Sequence, residues 1–205
     1  RWDGKEVLEL PSLGGSNNRA TGINDAGIIV GYASQDETGD RVHAVRWVEG
    51  AVEDLGTLGG EIGQAMAINR HGQIVGSSTS EKGFSAVDHA FVWADGEMTR
   101  LGRLKSVTIH GRSGKIKLDR SVSVGINDAG VICGFSVSAS ENDPVSVATL
   151  WDGDEVLDLN SAIGKANRDL VLSSADGINR DRDLVCTGYL LDDPQTPRLF
   201  RLEPA

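Results

Sequence analysis

The sequence predicts an all-β protein in which one hairpin unit is written four times. Each copy has a first strand that ends in Ile-Asn, then a short turn, then a second strand rich in Ile and Val. Apolar and small or polar residues alternate along these segments with the period of two that is typical of strands. Glycine is abundant, with 26 residues, as a chain with many tight turns requires. The copies begin at Ala20, Ala65, Ser123 and Ala175.

The asparagine of each copy predicts the shape of the turn. An asparagine side chain can bond its own backbone, and a glycine three residues later supplies the positive φ of a bulged hairpin turn. The fourth copy has Arg182 in place of that glycine, so we expect a distorted turn there. The alternative interpretation is a ring of amides at the mouth of a central tunnel, holding water or an ion. The four residues are Asn24, Asn69, Asn127 and Asn179.

The first strand of each hairpin has an isoleucine on one face and a small residue on the other. The isoleucines are expected to pack against the neighbouring sheet, while the small residues let the strands crowd around a common axis. The isoleucines are Ile23, Ile68, Ile126 and Ile178, and the small residues are Gly22, Ala67, Gly125 and Gly177.

Tryptophans mark a longer period in the chain. Trp2, Trp47, Trp93 and Trp151 are spaced 45 to 58 residues apart. Four short strands in a period of about 40–50 residues are typical of a propeller blade. We therefore predict a four-bladed β-propeller with four-stranded antiparallel blades, in which an N-terminal strand, residues 5–10, completes the last blade. Residues 1–205 would form one domain with units at roughly 20–55, 65–101, 121–159 and 173–202 plus 5–10. The alternative is a fragment of a larger ring.

Three motifs stand out in the second unit: the segment 54–60 (DLGTLGG), Ala67-Ile-Asn69 with the segment 72–76 (GQIVG), and His89-Ala-Phe91 with Trp93. Together they resemble the HAF repeat, a family of predicted extracellular bacterial proteins named for a His-Ala-Phe tripeptide. The resemblance covers essentially the whole chain, although the third unit departs from it with Val147-Ala-Thr149. It implies secretion and a propeller-like fold. It implies no known activity and transfers no catalytic residue.

The composition restricts the partners. The formal net charge is −10, which would repel nucleic acid and anionic membranes at long range. No apolar run approaches the ~20 residues that span a bilayer, so no membrane insertion is expected. The two cysteines, Cys133 and Cys186, fall on the second strands of different hairpins and are expected to be buried free thiols.

A basic insertion in the third unit is the candidate partner-binding loop. In the predicted strand order it lies on the same rim as acidic loops that contain Asp36, Glu37 and Asp40, Glu141 and Asp143, and Asp192 and Asp193. One interpretation is that it pairs with these acids or forms a hairpin on the rim. The other is a contact with an anion or a partner, because loops on rigid scaffolds often carry function. Its cations are Lys105, Arg112, Lys115, Lys117 and Arg120.

No other residues predict a strong site. His43 and His89 begin equivalent strands and are expected to be structural. The acidic loops could bind Ca²⁺ weakly but lack the spacing of a dedicated calcium loop, so neither cofactor nor resident metal is expected beyond a weak or tunnel-bound ion. A glycosidase needs two carboxylates about 5–9 Å apart in a cleft, whereas these acids lie in loops without flanking aromatics.

The sequence therefore predicts a non-enzymatic β-propeller that is extracellular or at the cell surface. It would be a monomer that presents the loops of one rim to a protein or glycan partner. Two alternatives remain open: a structural or assembly domain of a larger surface protein, and a carbohydrate-active enzyme.

Overall fold

The computed structural model describes residues 4, 7–81, 87–110, 114–138, 140, 144–164 and 167–203. The first two repeat units form two four-stranded sheets, here called sheet 1 and sheet 2. Sheet 1 contains β1 (Asn18–Ile23), β2 (Ile29–Ser34), β3 (Val42–Val48) and β4 (Ala51–Gly56). Sheet 2 contains β5 (Gly63–Ile68), β6 (Ile74–Thr79), β7 (Asp88–Ala94) and β8 (Glu97–Arg100).

A two-stranded hairpin separates these sheets from the last two. It pairs β9 (Ser106–Val107) with β10 (Ile116–Lys117). Sheet 3 contains β11 (Arg120–Ile126), β12 (Ile132–Val137), β13 (Ser146–Asp152) and β14 (Glu155–Asp158). A short helix, α1 (Leu159–Ala162), leads to sheet 4, which contains β15 (Leu170–Ile178), β16 (Leu184–Leu190) and β17 (Asp193–Leu202).

Within every sheet the strands follow one another in chain order and pair antiparallel. The first two strands of each sheet are the hairpin that the sequence repeats. The prediction of an all-β chain built from four such hairpins is therefore confirmed. Sheet 4 has three strands, whereas sheets 1 to 3 have four.

The asparagine turn closes each hairpin. In sheet 1 the N–H of Ile28 donates to Asn24 Oδ1, and the N–H of Gly27, at φ 77°, donates to the carbonyl of Asn24. In sheet 4 Arg182 takes the glycine position with φ 70° and donates its N–H to the carbonyl of Asn179 at 3.2 Å. The expected distortion of the fourth turn is therefore wrong, because Arg182 adopts the same left-handed backbone as the glycines.

A glycine stands at the point where each of the first three hairpins bulges. The register between β5 and β6 shifts between Ala65 and Ala67, and Gly76 pairs with Ala65. A Cβ built on Gly76 would lie 1.9 Å from the backbone oxygen of Gln64. The space is therefore closed to any side chain, and Gly31 and Gly134 meet the same restriction.

Each sheet packs its forward face, the face toward the next sheet in the chain, against the rear face of that sheet. Val30 and Ala44 of sheet 1 are fully buried against sheet 2. The rear face of sheet 2 contributes Ile74, Phe91 and Trp93 to the same core. Sheets 2 and 3, and then sheets 3 and 4, repeat this packing. The apolar core is therefore a series of layers between consecutive sheets.

Small residues let the first strands of adjacent sheets approach closely, as predicted. A Cβ on Gly22 would lie 3.4 Å from the carbonyl oxygen of Met66 in sheet 2. Hydroxyl groups bond across the same gap: Thr21 donates to the carbonyl of Ala65 at 2.8 Å, and Ser123 donates to the carbonyl of Gly76 at 2.6 Å. Packing and hydrogen bonds therefore join the first strand of a sheet to the adjacent sheet.

The N-terminal segment packs on sheet 1 and does not extend sheet 4. Leu10 and Leu13 contact the rear-face core of sheet 1, and Trp47 Nε1 donates to the carbonyl of Pro11 at 2.7 Å. Val7 is 85% exposed, and sheet 4, as the described residues form it, consists of β15, β16 and β17. The predicted closing strand is therefore wrong for residues 7–10, while residues 5 and 6 lie outside the described part of the chain.

Candidate functional site

The four asparagines link consecutive sheets into a ladder. Asn24 Nδ2 donates to the carbonyl of Asn69, Asn69 Nδ2 to that of Asn127, and Asn127 Nδ2 to that of Asn179, each at 3.1 Å. The ladder stops at Asn179, whose Nδ2 donates to Asp183 within its own turn. The amides proposed as a tunnel-mouth ring therefore form a directed row with one end at Asn24 and the other at Asn179.

The amide oxygens of the ladder are also bonded to the protein. Asn127 Oδ1 accepts the N–H groups of Ala129 and Val131, both at 3.0 Å. Asn69 is 4% exposed and Asn127 is 5% exposed, so the two central amides are almost fully buried. Buried polar groups are expected to be hydrogen-bonded in this way. This bonding supports a structural role for the asparagines rather than a role as ion ligands.

The basic insertion forms the hairpin of β9 and β10, here called the basic hairpin (residues 104–120). Its apolar side is buried: Val107, Ile109 and Leu118 pack against Val145, Val147 and Val171. The hairpin thereby covers the end of the core between sheets 3 and 4. The alternation of Val107 and Ile109, and of Ile116 and Leu118, is the period-two signal that could have predicted this buried side.

The basic hairpin has four exposed cations among the described residues. Lys115 and Lys117 alternate with Ile116 and Leu118 and therefore lie on the side opposite the buried one, whereas Lys105 precedes β9 and Arg120 begins β11. Arg112 lies outside the described residues. In the part of the chain that the structure describes, no ion pair joins these four cations to an acid. The predicted hairpin is therefore present in the backbone, and its four described cations form no ion pair with those rim acids that the structure describes.

The acidic loops bond mainly to themselves. Asp36 accepts from the hydroxyl of Thr38 and the N–H of Gly39, and the Thr38 bond helps to hold its pKa below the usual value. Asp193 accepts from Thr196 and from Arg198. Glu141 and Asp143 lie outside the described residues. Among the residues that are described, no group of three His, Cys, Asp or Glu side chains is arranged to hold a metal ion.

The two equivalent histidines have different partners. His43 Nδ1 lies 2.9 Å from Asp54 Oδ1. In sheet 2 the position of Asp54 is taken by Arg100, because Asp54 pairs with Val45 and Arg100 pairs with Phe91 in equivalent registers. His89 is 4% exposed and its Nδ1 has no hydrogen-bond partner. Burial, reinforced by the positive charges of Arg100 and Arg103, lowers the pKa of His89.

Arg100→Asp should raise the pKa of His89, because it supplies the carboxylate that His43 has. The wild-type His89 pKa is depressed on folding, so the protein should lose stability as pH falls through about 6.5, the unfolded value. Between pH 7.5 and 5.5 the free energy of unfolding should fall less in the variant than in the wild type. NMR titration of the imidazole and urea unfolding at both pH values measure the two effects. Arg100→Gln is the control for the lost positive charge, and an unchanged pKa in Arg100→Asp would contradict the assignment.

The two cysteines are buried free thiols, as predicted. Cys133 and Cys186 are fully buried in the core between sheets 3 and 4. Burial, together with the neighbouring Cys186 thiol, raises the pKa of Cys133 to about 12, and burial raises the pKa of Cys186 to about 11. The thiolate is the reactive form of cysteine, so neither residue is suited to nucleophilic chemistry at neutral pH.

Comparison with protein-family models and with curated proteins finds no match to the chain. The described residues include no helix with the length and apolar character needed to cross a bilayer.

Proposed function

We propose that the chain is a non-enzymatic module of four propeller-type blades that acts at or outside the cell surface. The observation that carries the proposal is the two-sided basic hairpin. One side supplies Val107, Ile109 and Leu118 to the core, which fixes the hairpin on the scaffold. The other side presents Lys115 and Lys117 to solvent, and Lys105 and Arg120 are exposed at the two ends of the hairpin. A rigidly mounted cationic surface suits a partner of negative charge, either an acidic protein surface or an anionic glycan.

The propeller-type arrangement is supported by the order of strands and sheets. In each of the first three units the first strand lies at the edge of the sheet and approaches the first strand of the next sheet through small residues such as Gly22 and Gly125. Apolar layers between successive sheets then occupy the place that the core has between propeller blades. The extracellular setting is proposed from the resemblance to HAF repeats alone.

The basic hairpin also differs in sign from the rest of the molecule. The whole chain has a formal net charge of −10, whereas the four described cations of the hairpin have Asp119 as the acid within their own segment. A local cluster of one sign on a surface of the other sign attracts complementary partners and orients them as they approach. The contact should therefore weaken as salt screens it.

Lys115→Glu/Lys117→Glu should reduce binding to an anionic partner at least tenfold at about 0.15 M salt, because it reverses the charge of β10. Heparin fragments and polyglutamate are the probes for a glycan and for an acidic protein, and calorimetry or surface plasmon resonance measures affinity. The matched control is Arg41→Glu/Arg180→Glu, which changes the net charge equally at exposed positions away from the hairpin. Equal affinity of the two variants, or no binding of either probe by the wild-type protein, would contradict the proposal.

A further inference from the structure

The forward face of sheet 4 has the residues of an internal interface but no sheet against it. Val185 aligns in register with Val30, Val75 and Cys133, which are all fully buried, yet Val185 is 50% exposed. Leu199 is 77% exposed at the position where sheets 1 to 3 bury an alanine completely. Gly177 faces open space, whereas a Cβ on its equivalent Gly125 would lie 2.9 Å from Cys133 Sγ. The alanines are Ala44, Ala90 and Ala148.

The rear face of sheet 1 is open near its first strand in a complementary way. Ile23 is 64% exposed, although its equivalents in the other three sheets are packed into the cores between sheets. Ala20 is also exposed, whereas the small residue at its position is fully buried in sheets 2, 3 and 4. The two ends of the molecule therefore present the two halves of the contact that it makes three times internally.

Hydrogen bonding ends at the same two places. The Asn24 side chain donates to the carbonyl of Asn69 in sheet 2. Among the described residues, no asparagine side chain donates to the carbonyl of Asn24. At the other end Asn179 accepts from Asn127, and its Nδ2 turns back to Asp183. At the sheet 1 end of the row, the Asn24 carbonyl lacks the asparagine donor that the other carbonyls have. At the sheet 4 end, Asn179 Nδ2 has no following sheet to donate to.

We infer that the forward face of sheet 4 docks onto the rear face of sheet 1 of a second copy of this chain. The forward face of sheet 4 and the part of the rear face of sheet 1 near its first strand are exposed in the same molecule, so sheet 4 is not covered by its own sheet 1, and a second copy offers the matching surface. The contact would repeat the internal one: Val185 and Leu199 would cover Ile23 and Ala20 of the second copy. Asn179 Nδ2 would then donate to the carbonyl of the second copy's Asn24.

This contact joins two different faces, so it is heterologous. Copies would add head to tail, closing into a ring where the rotation permits and otherwise extending. The inference contradicts the monomer that the sequence analysis expects. It is independent of the proposed partner binding, because none of its residues belongs to the basic hairpin.

Sedimentation velocity between about 2 and 200 µM tests the inference. The wild-type protein should associate as its concentration rises. Leu199→Asp places a charge in the forward face of sheet 4, and Ile23→Asp places one in the rear face of sheet 1. Each variant alone should therefore raise the apparent dissociation constant at least tenfold. Because each variant keeps the face that the other lacks, an equimolar mixture should form a one-to-one dimer with one intact contact.

Leu157→Asp is the matched control, because Leu157 is also an exposed leucine but belongs to sheet 3. This variant should associate like the wild type. Circular dichroism and thermal unfolding verify that each variant is folded, which the high exposure of Leu199 and Ile23 favours. A wild-type protein that stays monomeric over the whole range overturns the inference. A mixture of the two variants that fails to associate, while the wild type associates, also overturns it, because that result requires a different interface.

Discussion

Asn127→Ala should lower the free energy of unfolding by roughly 3 kcal/mol, since it breaks the ladder between sheets 3 and 4. The change removes the acceptor of the Ala129 and Val131 N–H groups and the donor to the carbonyl of Asn179. Val131 is 1% exposed, so its N–H would be left without water as an alternative partner. A buried donor without a partner costs about 1–3 kcal/mol. Urea denaturation of both proteins measures the difference.

Asn179→Ala is the matched control, because Asn179 forms the same turn without a bond to a following sheet. Its Oδ1 accepts the N–H groups of Asp181 and Asp183, and the residue is exposed. Water can replace those bonds, so the expected loss is about 1 kcal/mol or less. Equal losses in the two variants would show that the turn alone, and not the link between sheets, accounts for the role of the asparagine.

Gly76→Ala should cost roughly 3 kcal/mol, because the new methyl group has no space. Its Cβ would lie 1.9 Å from the carbonyl oxygen of Gln64 and 3.0 Å from Cα of Ala65. Both neighbours are backbone atoms of the paired strand, so relief requires movement of β5 itself. That strand packs against sheets 1 and 3, which opposes the movement. Thermal or urea unfolding of the purified variant measures the loss.

Gly177→Ala tests the opposite situation at another strand glycine. No atom lies within 4 Å of a Cβ built there, and its φ is outside the left-handed region. Alanine should therefore raise the free energy of unfolding by about 0.5 kcal/mol, since it restricts the unfolded chain more than glycine does. If Gly76→Ala were as well tolerated as Gly177→Ala, the close approach at the bulge would not be a constraint on the fold.

The sequence predicted the parts of the fold that depend on local chemistry. The Ile-Asn motif and the glycine after Asn24 or Asn69 identified the hairpins, because an asparagine turn is formed within five residues of chain. The small residues Gly22 and Gly125 identified the first strand of each hairpin as the one that approaches the adjacent sheet. These signals are short in range, and the pairing of consecutive antiparallel strands follows from them directly.

The contacts between sheets were harder to predict. The bond from Asn24 to Asn69 joins residues 45 positions apart, and the turn motif explains the asparagine completely without it. The N-terminal prediction failed for a similar reason: residues 7–10 alternate like a strand, but Leu10 and Pro11 are held by the rear face of sheet 1. The fourth turn was predicted from residue preference, and Arg182 simply adopts the strained conformation.

The sequence predicted where the cations of the candidate site lie, but it did not predict the buried apolar side that holds the hairpin on the sheets. Composition located the cations around Lys115, whereas the buried side of the hairpin, with Ile109 and Leu118, was recognised only through its contacts with Val145 and Val171. The open end faces escaped prediction because exposure becomes visible only when equivalent positions of different sheets are compared in three dimensions.

The layered packing has a consequence for how the molecule opens. Interfaces run from each sheet to the next one in the chain, so an inner sheet is held on both sides and an outer sheet on one. In such a linear array stability is close to a sum over units and nearest-neighbour couplings. Transient opening therefore begins at the two outer sheets and moves inward, and the central pair is the last part of the backbone to exchange its amide protons with solvent.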